Sequence, residues 1–301
     1  MPEFVQTVSL TKRYKKQTVV DGLNLRVPRG SVYGFLGPNG SGKSTTMKMI
    51  LSLVRPSAGQ ILIDGEPMTR RSRQQHLAHI GSLIESPPGY SHLTGAENMR
   101  IIQRLLGLDE EDVSYAVSAV HMASHMDKKV RDYSLGMKQR LGIAMALVRR
   151  PSLLILDEPT NGLDPAGIEE IRRLMRRLVS DGITVMVSSH LLGEIDRTAN
   201  VLGILVRGRL LFQGSRTELM SAAAPDTLVE CSDPALAAER IAGSAPLAHE
   251  GDVLRVSGLD RRRTARVVAS LVDAGIDVYS IYQEEQSLEA VFMALTRGGG
   301  L

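Results

Sequence analysis

The stretch Gly37-Pro38-Asn39-Gly40-Ser41-Gly42-Lys43-Ser44-Thr45 constrains this chain more than any other. It follows the apolar run Val32-Tyr33-Gly34-Phe35-Leu36, which reads as a buried strand. After it, Met47, Ile50, Leu51 and Val54 recur at the spacing of a helix face. Strand, glycine-rich loop and helix in that order form the context in which G-x-x-x-x-G-K-[ST] is a phosphate-binding loop. The glycines let the backbone turn tightly with its N–H groups pointing inward, and the helix N-terminus adds partial positive charge. The pattern predicts that Gly37 to Thr45 wrap a nucleoside triphosphate, with Lys43 on the β- and γ-phosphates and the Ser44 hydroxyl on Mg²⁺.

A chain of 301 residues has room for one or two domains with full cores, so it needs no disulfide staples. Its one cysteine, Cys231, forms no internal bridge and reads as a small buried apolar residue, as expected in a reducing compartment. The N-terminus lacks the charged-then-apolar plan of a signal peptide. Apolar runs such as Leu153 to Leu156 and Val201 to Val206 fall far short of the roughly 20 residues that span a bilayer. Any membrane role is therefore expected through a partner. With 36 basic and 33 acidic residues the net charge is +3 and the pI near 9.0, too mild to indicate nucleic acid.

Ahead of the loop, alternation over Val5 to Leu10 and over Leu23 to Val27 predicts antiparallel strands joined by a basic turn, Thr11 to Lys16. Tyr14 in that turn reads either as a surface tyrosine or as a stacking group. A polar segment from Arg70 to His79 is predicted to be a solvated helix, followed by a strand, Ile80 to Ile84, and a Pro-rich loop. From Thr94 to Arg150 the pattern is helical, opened by the capping box Thr94-Gly-Ala-Glu97. Next comes the apolar run Leu153 to Leu156, closed by Asp157 and Glu158. Such a run implies a parallel strand covered on both faces, with its acids at the edge where α/β sheets bind ligands. A β-branched strand, Ile183 to Ser189, ends at His190, and Val201 to Phe212 reads as a hairpin. Beyond a linker near Ser221 to Pro225, the order strand, helix, strand, helix, strand, helix predicts a small α+β unit of ferredoxin-like plan. Arg261-Arg262-Arg263 there reads as an anion site or as the solvated start of a helix.

The P-loop, Ser134-x-Gly136 at a helix start, the Asp157-Glu158 pair and His190 stand in one order. That order resembles the nucleotide-binding subunit of an ATP-binding-cassette (ABC) transporter, over roughly Val5 to Leu219. The resemblance implies an α/β P-loop cassette of residues 1–220, with a mixed sheet and a helical subdomain at about 90–150. A C-terminal α+β accessory domain follows over 226–301. It implies ATP and Mg²⁺ as cofactors. Tyr14 is implied as the aromatic that stacks on adenine, Asp157 as the metal-holding acid and Glu158 as the carboxylate that polarises the attacking water. His190 is implied as the switch histidine and Asp164 as a dimer-seam residue. Ser134, Leu135, Gly136 and Met137 stand where the family has Ser-Gly-Gly-Gln, the element that completes the opposite subunit's site. The implied partners are a second copy or a paralogous cassette and an integral-membrane permease, without nucleic acid, at the cytoplasmic face of the membrane.

Glu85 stands where most such ATPases have Gln, and the resemblance makes it a candidate Mg²⁺ ligand in place of an inconsequential loop carboxylate. The segments around Ile80 to Pro87 and Leu93 to Asn98 resemble bacitracin and lantibiotic-immunity exporters. Ser287 to Thr296 resembles the tail of antibiotic-export ATPases. The expected function is ATP hydrolysis that powers drug, antibiotic or antimicrobial-peptide export through a separate permease. The alternative is a soluble cassette ATPase that works without one.

Overall fold

The computed structural model of the chain describes residues 2–85, 87–195, 198–222, 226–241, 247–250, 253–257, 259–284 and 291–292. It divides into two compact units, Met1–Arg216 and Thr217–Leu301. The first opens with β1 (Glu3–Tyr14), β2 (Gln17–Leu23) and β3 (Arg26–Pro28). The strand β4 (Val32–Leu36) then leads into α1 (Lys43–Ile50). Next come β5 (Ala58–Ile63), β6 (Glu66–Pro67), α2 (Arg73–Leu77) and β7 (Ile80–Leu83). A helical segment holds α3 (Gly95–Leu106), α4 (Glu110–Ala119) and α5 (Leu135–Leu147). The chain returns to the sheet with β8 (Leu153–Leu156), α6 (Pro165–Ser180), β9 (Thr184–Ser189) and α7 (Leu192–Ile195). The hairpin β10 (Val201–Val206) and β11 (Arg209–Ser215) follows, then α8 (Arg216–Ala222), in which the two units divide.

Two sheets result. One is antiparallel, in the order β2-β1-β5-β6, with β3 also paired to β1. The other runs β11-β10-β4-β9-β8-β7, parallel from β10 to β7, with β11 antiparallel at its edge. Every residue of β4, β8 and β9 is buried, which is why β4 and β8 read as apolar runs. The order β4-β9-β8 is the decisive feature for function. It brings the carboxyl ends of three strands distant in sequence to one edge: Gly37 after β4, His190 after β9, and Asp157 and Glu158 after β8. Register sharpens this, because Leu156 of β8 faces Val187 of β9, so Asp157 is carried alongside Ser188.

Two expectations need adjustment, and a third is met. The basic segment Thr11 to Tyr14 is not a turn but the end of β1, paired with β2 as far as Tyr14↔Gln17. The helix expected over Arg70 to His79 shortens to α2, and it buries His76 rather than being solvated throughout. In the helical segment the expected capping box is present: Glu97 N–H donates to Thr94 Oγ1, and Thr94 N–H to the Glu97 carboxylate.

The second unit contains β12 (Asp226–Cys231), α9 (Pro234–Ile241), β13 (Leu247–Glu250), β14 (Val253–Ser257), α10 (Arg261–Asp273) and β15 (Val278–Glu284). Its sheet order is β13-β14-β12-β15 with every pairing antiparallel, the ferredoxin-like β-α-β-β-α-β plan. The short strand β13 is absent from the sequence reading. Val229, Cys231, Leu254 and Val256 of the sheet pack against Ala237 and Ile241 of α9 and Leu271 of α10. Of the expected final helix, Ser287 to Thr296, only Val291 and Phe292 lie among the described residues.

Candidate functional site

The phosphate loop is shaped by two glycines that nothing else could replace. At Gly37 an added Cβ would stand 2.1 Å from the Leu205 carbonyl oxygen. Gly42 caps α1 in the left-handed region, φ 107°, and a Cβ there would lie 2.7 Å from the Val19 carbonyl. No side chain caps this helix, so its first-turn N–H groups face the loop's own concavity, a fixed source of positive potential. That concavity is a pocket of about 190 Å³ lined by Asn39 to Thr45, Val19 and Glu158.

Lys43 is 5% exposed, and burial of a charge demands partners. Its Nζ donates to the carbonyl oxygens of Gly37 (2.6 Å) and Pro38 (3.4 Å) and lies 3.5 Å from Glu158 Oε1. The other Glu158 oxygen, Oε2, accepts from His190 Nδ1 at 2.8 Å, which fixes Nδ1 as the protonated ring nitrogen. Glu158 therefore bridges the phosphate-loop lysine and the histidine at the end of β9. Its own backbone is left-handed, φ 50°, a conformation that costs a non-glycine residue about 1–3 kcal/mol and tends to mark functional sites.

A residue the sequence reading passed over holds this conformation. Ser188 in β9 is completely buried. Its hydroxyl donates to Asp157 Oδ1 at 2.6 Å and accepts from the Glu158 N–H at 2.9 Å. One side chain thus orients both acids. The available signal was a hydroxyl residue following the apolar run Val185 to Val187, two positions before His190. Nothing in the linear sequence says which strand lies beside it.

The remaining candidates lie elsewhere. Tyr14 is 46% exposed at the end of β1, with Lys12 Nζ 4.7 Å from its ring centroid. Ser134 caps α5, its hydroxyl accepting from the Met137 N–H at 3.3 Å. Leu135 is exposed and Gly136 is uncrowded, so this helix start presents backbone outward. Asp164 caps α6 through the Gly167 N–H at 2.9 Å. Glu85, exposed and with φ 66°, is ion-paired to Lys48 of α1 at 2.5 Å.

The residues fit a nucleotide and its metal. Ser41 Oγ is buried with no hydrogen-bond partner in the wall of the phosphate loop, a polar atom still to be satisfied. Among the described residues no cluster of three or more His, Cys, Asp or Glu side chains could hold a metal alone. The Asp157 carboxylate beside the loop is an oxygen donor of the kind Mg²⁺ takes, one or two at a time, together with the phosphates it accompanies.

Residues 20–161 match the ABC transporter family. The bacitracin transport ATP-binding protein BcrA of Bacillus licheniformis is 40% identical over 99% of this chain and 99% of its own length. The daunorubicin/doxorubicin resistance ATP-binding protein DrrA of Streptomyces peucetius is 34% identical over 97% of this chain and 92% of its own. Among solved structures, cbiO1 of Clostridium perfringens, part of the ABC transporter complex cbiONQ, superposes with a TM-score of 0.68. It is 28% identical and covers 73% of this chain and 92% of its own. With the phosphate loop, the paired acids and the histidine gathered at one sheet edge, the chain belongs to the ATP-hydrolysing subunits of ABC transporters.

Proposed function

We propose that this chain powers an exporter, hydrolysing ATP on behalf of a separate membrane permease that moves an apolar drug or antimicrobial peptide outward. The observation that carries the reading is Glu158 bridging Lys43 and His190 beside the phosphate loop. The export direction and cargo class rest on the bacitracin and daunorubicin relatives that match nearly the whole chain.

ATP lies in the phosphate loop with its adenine on Tyr14, and Lys43 turns from the Pro38 carbonyl and Glu158 toward the phosphates. Ser44, Asp157 and Glu85 would hold Mg²⁺, which would supply charge neutralisation to the bound phosphates. Glu85, paired here with Lys48, would leave that pair to reach the metal. Glu158 orients and polarises the attacking water, and His190 holds that carboxylate and senses the terminal phosphate. Ser134, Leu135, Gly136 and Met137 contact the nucleotide of a second copy or of a paralogous cassette, and Asp164 lies at the seam. Two-fold pairing gives each outward-facing helix start a phosphate to meet. No helix among the described residues is long and apolar enough to cross a membrane. The chain attaches to the cytoplasmic face through the permease. The C-terminal unit regulates or supports pairing, and the cassette, 1–220, binds ATP without it.

The test is copurification with a polytopic membrane protein, followed by ATPase assay of the pair in vesicles. Stoichiometric copurification with permease-stimulated turnover supports the reading; a chain that hydrolyses ATP at its full rate alone, and retains no membrane partner, favours the soluble alternative. In the same assay Glu85→Ala raises the Mg²⁺ needed for half-maximal rate, and an unchanged titration removes Glu85 from the metal.

A further inference from the structure

The C-terminal unit contains a pocket that the ATPase reading does not use. It measures about 380 Å³, within the range of small-molecule sites, and lies between α9 and α10. Its floor is apolar, formed by the buried side chains of Ile241, Leu259 and Val267. The rest of the lining is Arg240 from α9, Arg263 and Arg266 from α10, and the Ser270 hydroxyl. No carboxylate among the described residues lines it. Among the described residues none of the three arginines forms an ion pair, whereas Arg255 on the adjoining sheet is held by both Asp226 and Glu284.

Two physical arguments make this more than a solvated helix face. Arg261, Arg262 and Arg263 occupy the first turn of α10, where the helix dipole disfavours cations. The carboxylate at that helix end, Asp260, accepts the Arg263 backbone N–H at 2.7 Å as a cap. Local propensity is therefore violated without an internal partner, the pattern expected where a residue serves binding. Second, arginines contributed by two helices to one pocket with an apolar floor suit one ligand chemistry. They make forked hydrogen bonds to phosphate oxygens, while the floor takes an apolar portion.

We infer that the pocket formed by Arg240, Arg263, Arg266 and Ser270 binds a phosphate group borne by a compound with an apolar part. That compound is either a soluble phosphate ester or the headgroup of an anionic lipid. The inference stands on the C-terminal unit alone and does not depend on the exporter reading.

Arginine modification by phenylglyoxal on the full chain, read residue by residue by peptide mass spectrometry, tests it without interference from phosphate-loop binding. Two probes separate the sources: inorganic pyrophosphate, and vesicles of phosphatidylglycerol compared with phosphatidylcholine. At about twice the Kd two-thirds of the sites are filled, so modification of Arg240, Arg263 and Arg266 should slow about threefold. Arg261 and Arg262, which do not line the pocket, should keep their rates. Protection by pyrophosphate assigns a soluble source, and protection by phosphatidylglycerol alone assigns the lipid. In the Arg263→Gln/Arg266→Gln variant, protection of Arg240 should disappear while basal ATPase is retained. No protection by either probe, or equal protection of Arg261 and Arg262, overturns the site.

Discussion

Replacing Ser188 by Ala removes one oxygen atom from the centre of the site, and the structure lets its effect be worked out. The hydroxyl is wholly buried, so no water substitutes for it at once. It donates to the Asp157 carboxylate at 2.6 Å and accepts from the Glu158 N–H at 2.9 Å. A hydrogen bond to a charged group contributes about 1.5–3 kcal/mol and one between neutral groups about 1, and both partners are left unsatisfied. A stability loss of about 2–4 kcal/mol follows, a shift in Tm on the order of 5–10 °C for a unit of this size. The sharper consequence is chemical. Ser188 is a positioning residue: it aims the acid proposed to hold the metal and fixes the backbone of Glu158. Loss of such an outer partner weakens metal affinity or activity about 10–100-fold. The assay is ATPase rate against Mg²⁺ concentration, with thermal unfolding of the same samples. Ser188→Ala should move the Mg²⁺ midpoint upward. Ser188→Thr keeps the hydroxyl and should leave the midpoint near the original even if its extra methyl lowers Tm. A folded Ser188→Ala protein with an unchanged midpoint refutes the positioning role, because a purely structural residue would move Tm alone.

Gly37→Ala should abolish nucleotide binding, since its Cβ would meet the Leu205 carbonyl at 2.1 Å and the loop must move; equilibrium binding of a fluorescent ATP analogue checks it. Thr94→Ala should destabilise the chain by about 1 kcal/mol through loss of the α3 cap, measured by urea unfolding. The Thr94 hydrogen bonds lower the Glu97 carboxyl below its usual range. That contribution, first from the Thr94 backbone N–H, is present above the unfolded pKa and lost as pH falls through the folded one. A Glu97→Gln variant and the parent should therefore converge in acid, whereas Thr94→Ala keeps this backbone donor. Mixing Lys43→Ala and Ser134→Arg subunits should restore ATPase above either parent, because the paired form retains one intact composite site. Verified mixed pairs with no recovered activity would exclude action in trans.

The phosphate loop was legible because its chemistry is local: glycine spacing, a lysine and a helix start encode it within a single turn of chain. The acids were legible for a related reason, since β8 is buried on both faces and its apolar run ends abruptly at Asp157. What escaped depends on neighbours. Thr11 to Tyr14 looks like a turn by composition, but β2 folds back along it and completes its hydrogen bonds. His76 sits in a polar, arginine-rich segment, yet it faces inward and is buried. Ser188 becomes meaningful only when β9 pairs with β8, a contact between segments 31 residues apart that no local pattern announces. The three arginines at Arg261 could be read either way, because a pocket needs the second helix to close it.

Turnover and nucleotide occupancy of Glu158→Gln, measured together in the presence of Mg²⁺, test the central claim most directly. The substitution keeps the shape of the side chain while removing the charge that bridges Lys43 and His190. With that acid–base contribution gone, turnover should fall about 10²–10⁴-fold while ATP stays bound, trapped in a paired form. Turnover close to that of the parent, or loss of ATP binding from a folded variant, would contradict the assignment of Glu158 as the catalytic carboxylate.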